Sequence, residues 1–123
     1  MITLLAVSAA SALGAPARYL LDRAIAARRG SALPLGTMAI NLTGAFLLGL
    51  LTGLAAHHGL PKTAVLVLGT GFCGAYTTFS TFSYETIRLV EDGSIAEAGS
   101  NVAVSLVAGM GTAALGLGLA LLL

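Results

Sequence analysis

The chain has 123 residues, of which 57% are hydrophobic and only 9% charged, with a mean hydropathy of +0.95. That composition excludes a soluble monomer and assigns an integral membrane protein, and a net charge of +1 leaves no basic footprint for nucleic acid. A single cysteine excludes an internal disulfide, and the short loops leave no room for a soluble catalytic domain, so an enzyme is not expected.

Four stretches with at most one charge occupy 2–21, 35–56, 63–84 and 101–123. Each has close to the ~20 residues that a ~30 Å hydrocarbon core requires. With their flanks they predict an all-α membrane protein whose helices run over about 2–27, 33–57, 62–90 and 96–122 in one domain covering 1–123, the third helix broken near 74–78. The first stretch has neither a basic region before it nor a convincing cleavage site. It reads as a retained helix, not a removed signal peptide. Its Ala, Ser and Gly residues let neighbouring helices approach closely. Arg18, one turn inside the helix end, snorkels outward, pairs with Asp22 at i+4, or holds carbonyls or an anion at a pore mouth. The connector then carries Arg23, Arg28 and Arg29, a basic cluster expected at an aqueous interface.

The second helix opens after Pro34 and places Asn41 well inside the span. An amide is expensive there. It acts either as interhelical glue, worth ~1 kcal/mol, or as a source of N–H donors for an anion. Thr37, Asn41 and Ala45 share a face at i, i+4 spacing with Gly44 alongside, and Gly49-x-x-x-Gly53 forms a close-packing ridge further on. The turn that follows holds His57, His58, Pro61 and Lys62. With no third ligand nearby, the histidines are assigned no role.

In the third stretch glycines, hydroxyls and aromatics crowd into an otherwise apolar run, Gly69-Thr-Gly-Phe-Cys-Gly-Ala-Tyr-Thr-Thr-Phe-Ser-Thr-Phe-Ser83. Gly69, Gly71 and Gly74 each cost roughly 1 kcal/mol in a helix interior, and the β-branched Thr77 and Thr78 add to that. A break is therefore expected, and irregular backbone at membrane depth is tolerated only where protein or a polar cavity satisfies it. Gly69-x-Gly71-x-x-Gly74 spells a dinucleotide fingerprint, but the βαβ unit that gives the motif its meaning is absent. Cys73 reads as a small apolar side chain. Beyond the break, Phe79 and Phe82 share a face at i, i+3 with Thr78 beside Phe82, among the hydroxyls of Ser80, Thr81 and Ser83. Glu85 and Arg88, again i, i+3, are expected to pair at the helix end. The fourth helix carries Asn101 and Ser105 one turn apart.

Three segments together resemble the Fluc (CrcB) fluoride channels: Gly74-x-x-Thr77-Thr78-Phe79-Ser80-Thr81-Phe82, Gly14-Ala15-x-x-Arg18-Tyr19, and Gly36-Thr37-x-x-x-Asn41-x-x-Gly44-x-Phe46. The likeness spans the whole chain. One departure is Ala75, where many members have a second glycine; a break needing φ > 0 there would strain an alanine. The resemblance implies a cell-membrane, multi-pass protein that forms an antiparallel, dual-topology homodimer with two fluoride pathways and exports toxic fluoride passively. It also implies a structural Na⁺ held by the backbone oxygens of Gly74 and Thr77, bound but not transported. Phe79 and Phe82 would line the path, with Asn41, Ser80, Thr81 and Ser105 as hydrogen-bonding neighbours and Arg18 at the pore mouth.

The chemistry of the residues agrees with an anion path. Fluoride is small and tightly hydrated, so a pore must replace its water with strong donors, which Thr, Ser and Asn side chains and the positive edges of phenyl rings supply. No carboxylate occupies the middle of any stretch. A four-helix drug/proton antiporter would need one there, and a structural subunit that only packs against partners would not need so many hydroxyls. Charge alone orients the chain: Arg23, Arg28, Arg29 and Arg88 lie on one side against Lys62 on the other, which would put both termini outside. Coexisting orientations rest on the resemblance.

Overall fold

The computed structural model describes residues 1–28, 30 and 32–123, so Arg29 of the expected basic cluster lies outside the described residues. Six α-helical segments follow in order: α1 (Ile2–Ala26), α2 (Leu35–His57), α3 (Lys62–Val65), α4 (Gly74–Tyr76), α5 (Phe79–Glu91) and α6 (Ile95–Leu122). A π-helical run, Leu66–Cys73, joins α3 to α4 without interruption. Four helical stretches are long and apolar enough to cross a membrane: α1, α2, the composite Lys62–Glu91, and α6. The all-α class with an interrupted third span is as the sequence predicts.

Local chemistry explains the ends. The second helix starts at Leu35 and not at 33, because Pro34 disfavours helical backbone in the residue before it. α5 stops in a Schellman motif. The Gly93 N–H donates to the Val90 carbonyl at 3.0 Å and the Ser94 N–H to the Leu89 carbonyl at 2.8 Å, with Gly93 at φ +79°. At the far end of the bundle His58 Nε2 lies 2.7 Å from the Ala120 carbonyl. A carbonyl only accepts, so this nitrogen carries the proton and satisfies one of the last four oxygens of α6.

α2 and α6 form the main seam. Gly49 faces the Ala113 backbone, Gly53 faces Ala120 and Leu117, and Gly116 faces the Phe46 carbonyl, each so closely that a side chain would have no room. The ridge expected at Gly49 and Gly53 is therefore where the two backbones meet. α1 packs on the π-helical run instead. Large apolar side chains such as Leu5, Leu13, Val107 and Met110 stay mostly exposed, as lipid-facing positions do.

The break differs from expectation in its cause. Gly69, Gly71 and Gly74 are all helical, and the extended residues are Thr77 (φ −79°, ψ 161°) and Thr78 (φ −150°, ψ 120°). The glycines widen and thin the helix without opening it: Gly71 lets the run approach Val7 and Ala10 of α1. Ala75 is helical too, and no non-glycine residue among those described has φ > 0, so its methyl carries no backbone strain.

Candidate functional site

Everything at the break depends on α2. The Thr78 N–H donates to Asn41 Oδ1 and the Thr78 carbonyl accepts from Asn41 Nδ2, both at 2.9 Å. One side chain thus satisfies both backbone groups of the residue where the helix opens, which is how irregular backbone survives at membrane depth. Asn41 keeps a second N–H, and it borders an open groove with Ala45, Leu48, Thr77, Thr78 and Phe79. The glue and donor readings of Asn41 are both compatible with this geometry. Gly44 stands directly against the Thr77 methyl, where a Cβ would collide, so the break seats flat on α2.

Thr78 also starts α5. Its Oγ1 accepts from the Thr81 N–H at 3.2 Å, an N-cap bond. The same oxygen donates to Thr81 Oγ1 at 3.0 Å and sits 3.3 Å from Ser80 Oγ. With its single proton given to Thr81, Thr78 accepts from Ser80, and the Thr81 hydroxyl proton remains uncommitted. Thr77 turns its hydroxyl back on its own helix, donating to the Cys73 carbonyl at 2.9 Å, as does its N–H.

Two carbonyls are left over. The Thr78 N–H would normally bond Gly74 O but goes to Asn41, and no described residue donates to the carbonyls of Gly74 or Thr77. These oxygens are hard, uncharged donors at the end of a half-helix, the type that suits an alkali cation and not a transition metal.

Phe79 is 79% exposed on this chain, so packing within the chain does not account for it. Its ring centroid lies 5.8 Å from that of the half-buried Phe82, tilted by 41°. Arg18 lies in a separate pocket of about 160 Å³ with Tyr19, Asp22, Thr37, Ile40, Thr78 and Thr81. It forms no ion pair with Asp22 and shares the pocket with Thr78 and Thr81 at the start of α5. Ser105 is half-buried on α6, its hydroxyl oxygen buried with no hydrogen-bond partner, one turn from the fully buried Asn101. The structure thus gathers Asn41, Gly74, Thr77, Phe79, Ser80 and Thr81 around one break, with Arg18 bordering it through Thr78 and Thr81. No hydrogen bond connects Ser105 to that group.

The expected pairing of Glu85 with Arg88 does not form. Arg88 Nη1 donates to the Tyr84 hydroxyl at 3.1 Å and its guanidinium lies over that ring, because Tyr84 at i−4 shares its exposed face. Glu85 is instead half-buried, with one carboxylate oxygen buried and without a hydrogen-bond partner. A carboxylate therefore lies within two turns of the break, near the end of the span, where it lines an open pocket with Pro34, Arg88 and Asp92. Sequence reasoning also missed two bonds. Asn101 Nδ2 donates to Thr86 Oγ1 at 2.8 Å, and Thr43 Oγ1 lies 2.8 Å from the Tyr76 hydroxyl. The Asn101 amide in an apolar helix was the only local sign of the first; nothing local marked the second.

Comparison with known proteins places this geometry in context. Residues 5–117 match the family described as CrcB-like protein, Camphor Resistance (CrcB). The chain is 50% identical over 122 residues to the fluoride-specific ion channel FluC 1 of Frankia casuarinae, covering 94% of each chain. It is 56% identical over 99 residues to the fluoride-specific ion channel FluC 1 of Nocardia farcinica, covering 80% of this chain and 67% of that one. A protein of Streptomyces avermitilis with the same description is 50% identical over 109 residues, 89% of this chain and 88% of the relative.

Proposed function

The chain belongs to the CrcB-like family, and on that premise we propose that it is a fluoride-specific ion channel that passively exports fluoride as an antiparallel homodimer. The observation that carries the proposal is the opening at Thr77 and Thr78, where amide, hydroxyl and ring-edge donors collect beside an exposed Phe79. Asn41 and Thr81 offer their uncommitted protons in place of the water of a tightly hydrated anion, and Ser80 joins them when its hydroxyl turns from Thr78. The ring edges of Phe79 and Phe82 attract it without the strong bond that would trap it, so it moves on. Arg18 raises the local anion concentration at the mouth. An inside-negative potential drives the ion outward by about 2.3 kcal/mol per charge per 100 mV, so no pump is required. Neither an antiporter nor a packing subunit is consistent with the family.

A second subunit accounts for two features of the single chain, the uncovered Phe79 ring and the free carbonyls of Gly74 and Thr77. Facing copies bring four such oxygens together, a donor set that fits one Na⁺. The cation neutralises the partial negative charge at the half-helix ends and is not transported. Arg23, Arg28, Arg29 and Arg88 on one side against Lys62 on the other favour one orientation, so the insertion of both rests on the family and not on the charge pattern.

Fluoride efflux from liposomes carrying the purified protein, with chloride as comparison, tests the function: fluoride is expected to leave rapidly and chloride at the rate of empty vesicles. Equal efflux of the two halides would overturn it. Single cysteines placed at the α2–α3 turn of a Cys73→Ala variant are expected to label from both faces of the membrane; labelling from one face alone would overturn the antiparallel dimer.

A further inference from the structure

We infer that Tyr76 and Thr43 form a positioning pair that sets the angle at which the half-helix before the break delivers its free carbonyls. The inference rests on the channel reading above and deepens it. Three neighbouring residues of α2 hold three consecutive residues of the third span: Asn41 holds Thr78, Gly44 seats Thr77, and Thr43 holds Tyr76. The first two act on extended backbone after the helix has ended. Only the third acts on the helix that ends there.

The direction of the bond follows from proton counting. Thr43 Oγ1 donates to the Ala39 carbonyl at 2.7 Å, sharing the same proton with the Ile40 carbonyl at 3.1 Å, so it has none left for Tyr76. The Tyr76 hydroxyl is therefore the donor across the 2.8 Å contact. Tyr76 is buried, 7% exposed, and its ring stacks on Phe72 one turn earlier, with centroids 5.6 Å apart and planes 13° from parallel. A phenylalanine would satisfy the burial and the stacking. The hydroxyl adds one thing, a directional tether from the last helical residue before the break to α2, at a depth where an unbonded hydroxyl would be costly.

This tether bears on ion binding because Tyr76 lies between the two residues whose carbonyls are free. Gly74 precedes it on the same short helix and Thr77 follows it directly. Asn41 restrains only Thr78, and α4, continuous with the π-helical run and packed on α1 beside Gly14, is held there by close contact alone; the Tyr76–Thr43 bond adds a directional restraint at its last residue. Both partners lie outside the donor groove itself, so they act through the backbone and not by touching the ion.

Tyr76→Phe keeps volume and stacking; Thr43→Val keeps shape. In proteoliposomes each is expected to raise the sodium concentration for half-maximal fluoride flux by roughly fivefold, the factor one neutral hydrogen bond of ordinary strength supplies. Flux at saturating sodium should stay within about twofold of wild type on the same ground that neither residue touches the ion. The double variant should be no worse than either single one, and Thr43→Ser, which keeps the hydroxyl, should behave as wild type. Hydrogen–deuterium exchange of residues 74–81 in the assembled protein is the second readout. Tyr76→Phe should speed it severalfold while α6 is unchanged. An unaltered sodium requirement together with unaltered exchange would overturn the inference, as would additive losses in the double variant. If wild type conducts with no sodium requirement, the cation proposal fails separately, and the exchange experiment alone decides the role of Tyr76.

Discussion

α2 makes two contacts of opposite character, and the contrast explains the design of the chain. On one side Gly49 and Gly53 press against α6, backbone to backbone, and among the described residues the His58–Ala120 bond at the far end is the one directional contact across the seam. On the other, Asn41 and Thr43 meet the third span through hydrogen bonds to Thr78 and Tyr76. In lipid the apolar seam gains little from burial as such, because the alternative surroundings are equally apolar; it gains from dispersion at close approach. Dispersion is strong in sum but indifferent to rotation. Hydrogen bonds are few here, yet each specifies an angle, which is what a row of donors aimed at a small ion requires.

Four substitutions would break or sharpen that contrast. The largest effect belongs to Asn41→Leu, which strands the N–H and C=O of Thr78 in a buried place. At roughly 1–3 kcal/mol for each orphaned group, the loss of stability should be measurable as dissociation or unfolding in detergent, and fluoride flux should fall to the leak of empty vesicles. On the apolar side, Gly116→Val drives a branched side chain into the Phe46 carbonyl. Overpacking of this kind costs about 1–3 kcal/mol, and since the seam carries no ion contact, the fraction that assembles should keep its fluoride over chloride preference. That split between yield and selectivity is the measurement.

Thr78→Val retains shape and loses the N-cap oxygen of α5, the bond to the Thr81 N–H. The expected cost is about 1 kcal/mol, read as faster amide exchange confined to the first turn of α5. The smallest effect on stability should come from Phe79→Ile, since that ring is mostly uncovered within the chain. Thermal unfolding should barely move. Fluoride flux should nevertheless drop, because Ile keeps apolar bulk without the ring's positive edge. Unchanged flux in both Phe79→Ile and Phe82→Ile would remove the rings from the path and leave the hydroxyls to carry the ion.

Much of this was legible in the residues. Asn41, Phe79, Ser80 and Thr81 stood out because amides, hydroxyls and paired rings are conspicuous in an apolar span, and the structure brings them to one break. Ser105 stood out in the same way, but a polar residue in an apolar helix does not announce which neighbour it faces. Glu85 and Arg88 illustrate the converse. Their i, i+3 spacing permits a pair, but Tyr84 offers Arg88 a partner on its own face, while one Glu85 carboxylate oxygen is buried away from it.

Composition and local pattern by themselves determined four membrane helices, a disturbed third span and the turn residues that end the helices, because these follow from the cost of exposing polar backbone to lipid and from each residue's own φ and ψ. Only the tertiary structure decided where the third span opens and what each glycine is for. A glycine costs a helix the same wherever it stands, so Gly71 looked like a weak point until α1 was seen lying against it. The chain opens at Thr78 because its backbone groups find a better partner in Asn41, 37 residues away, than in the helix they leave.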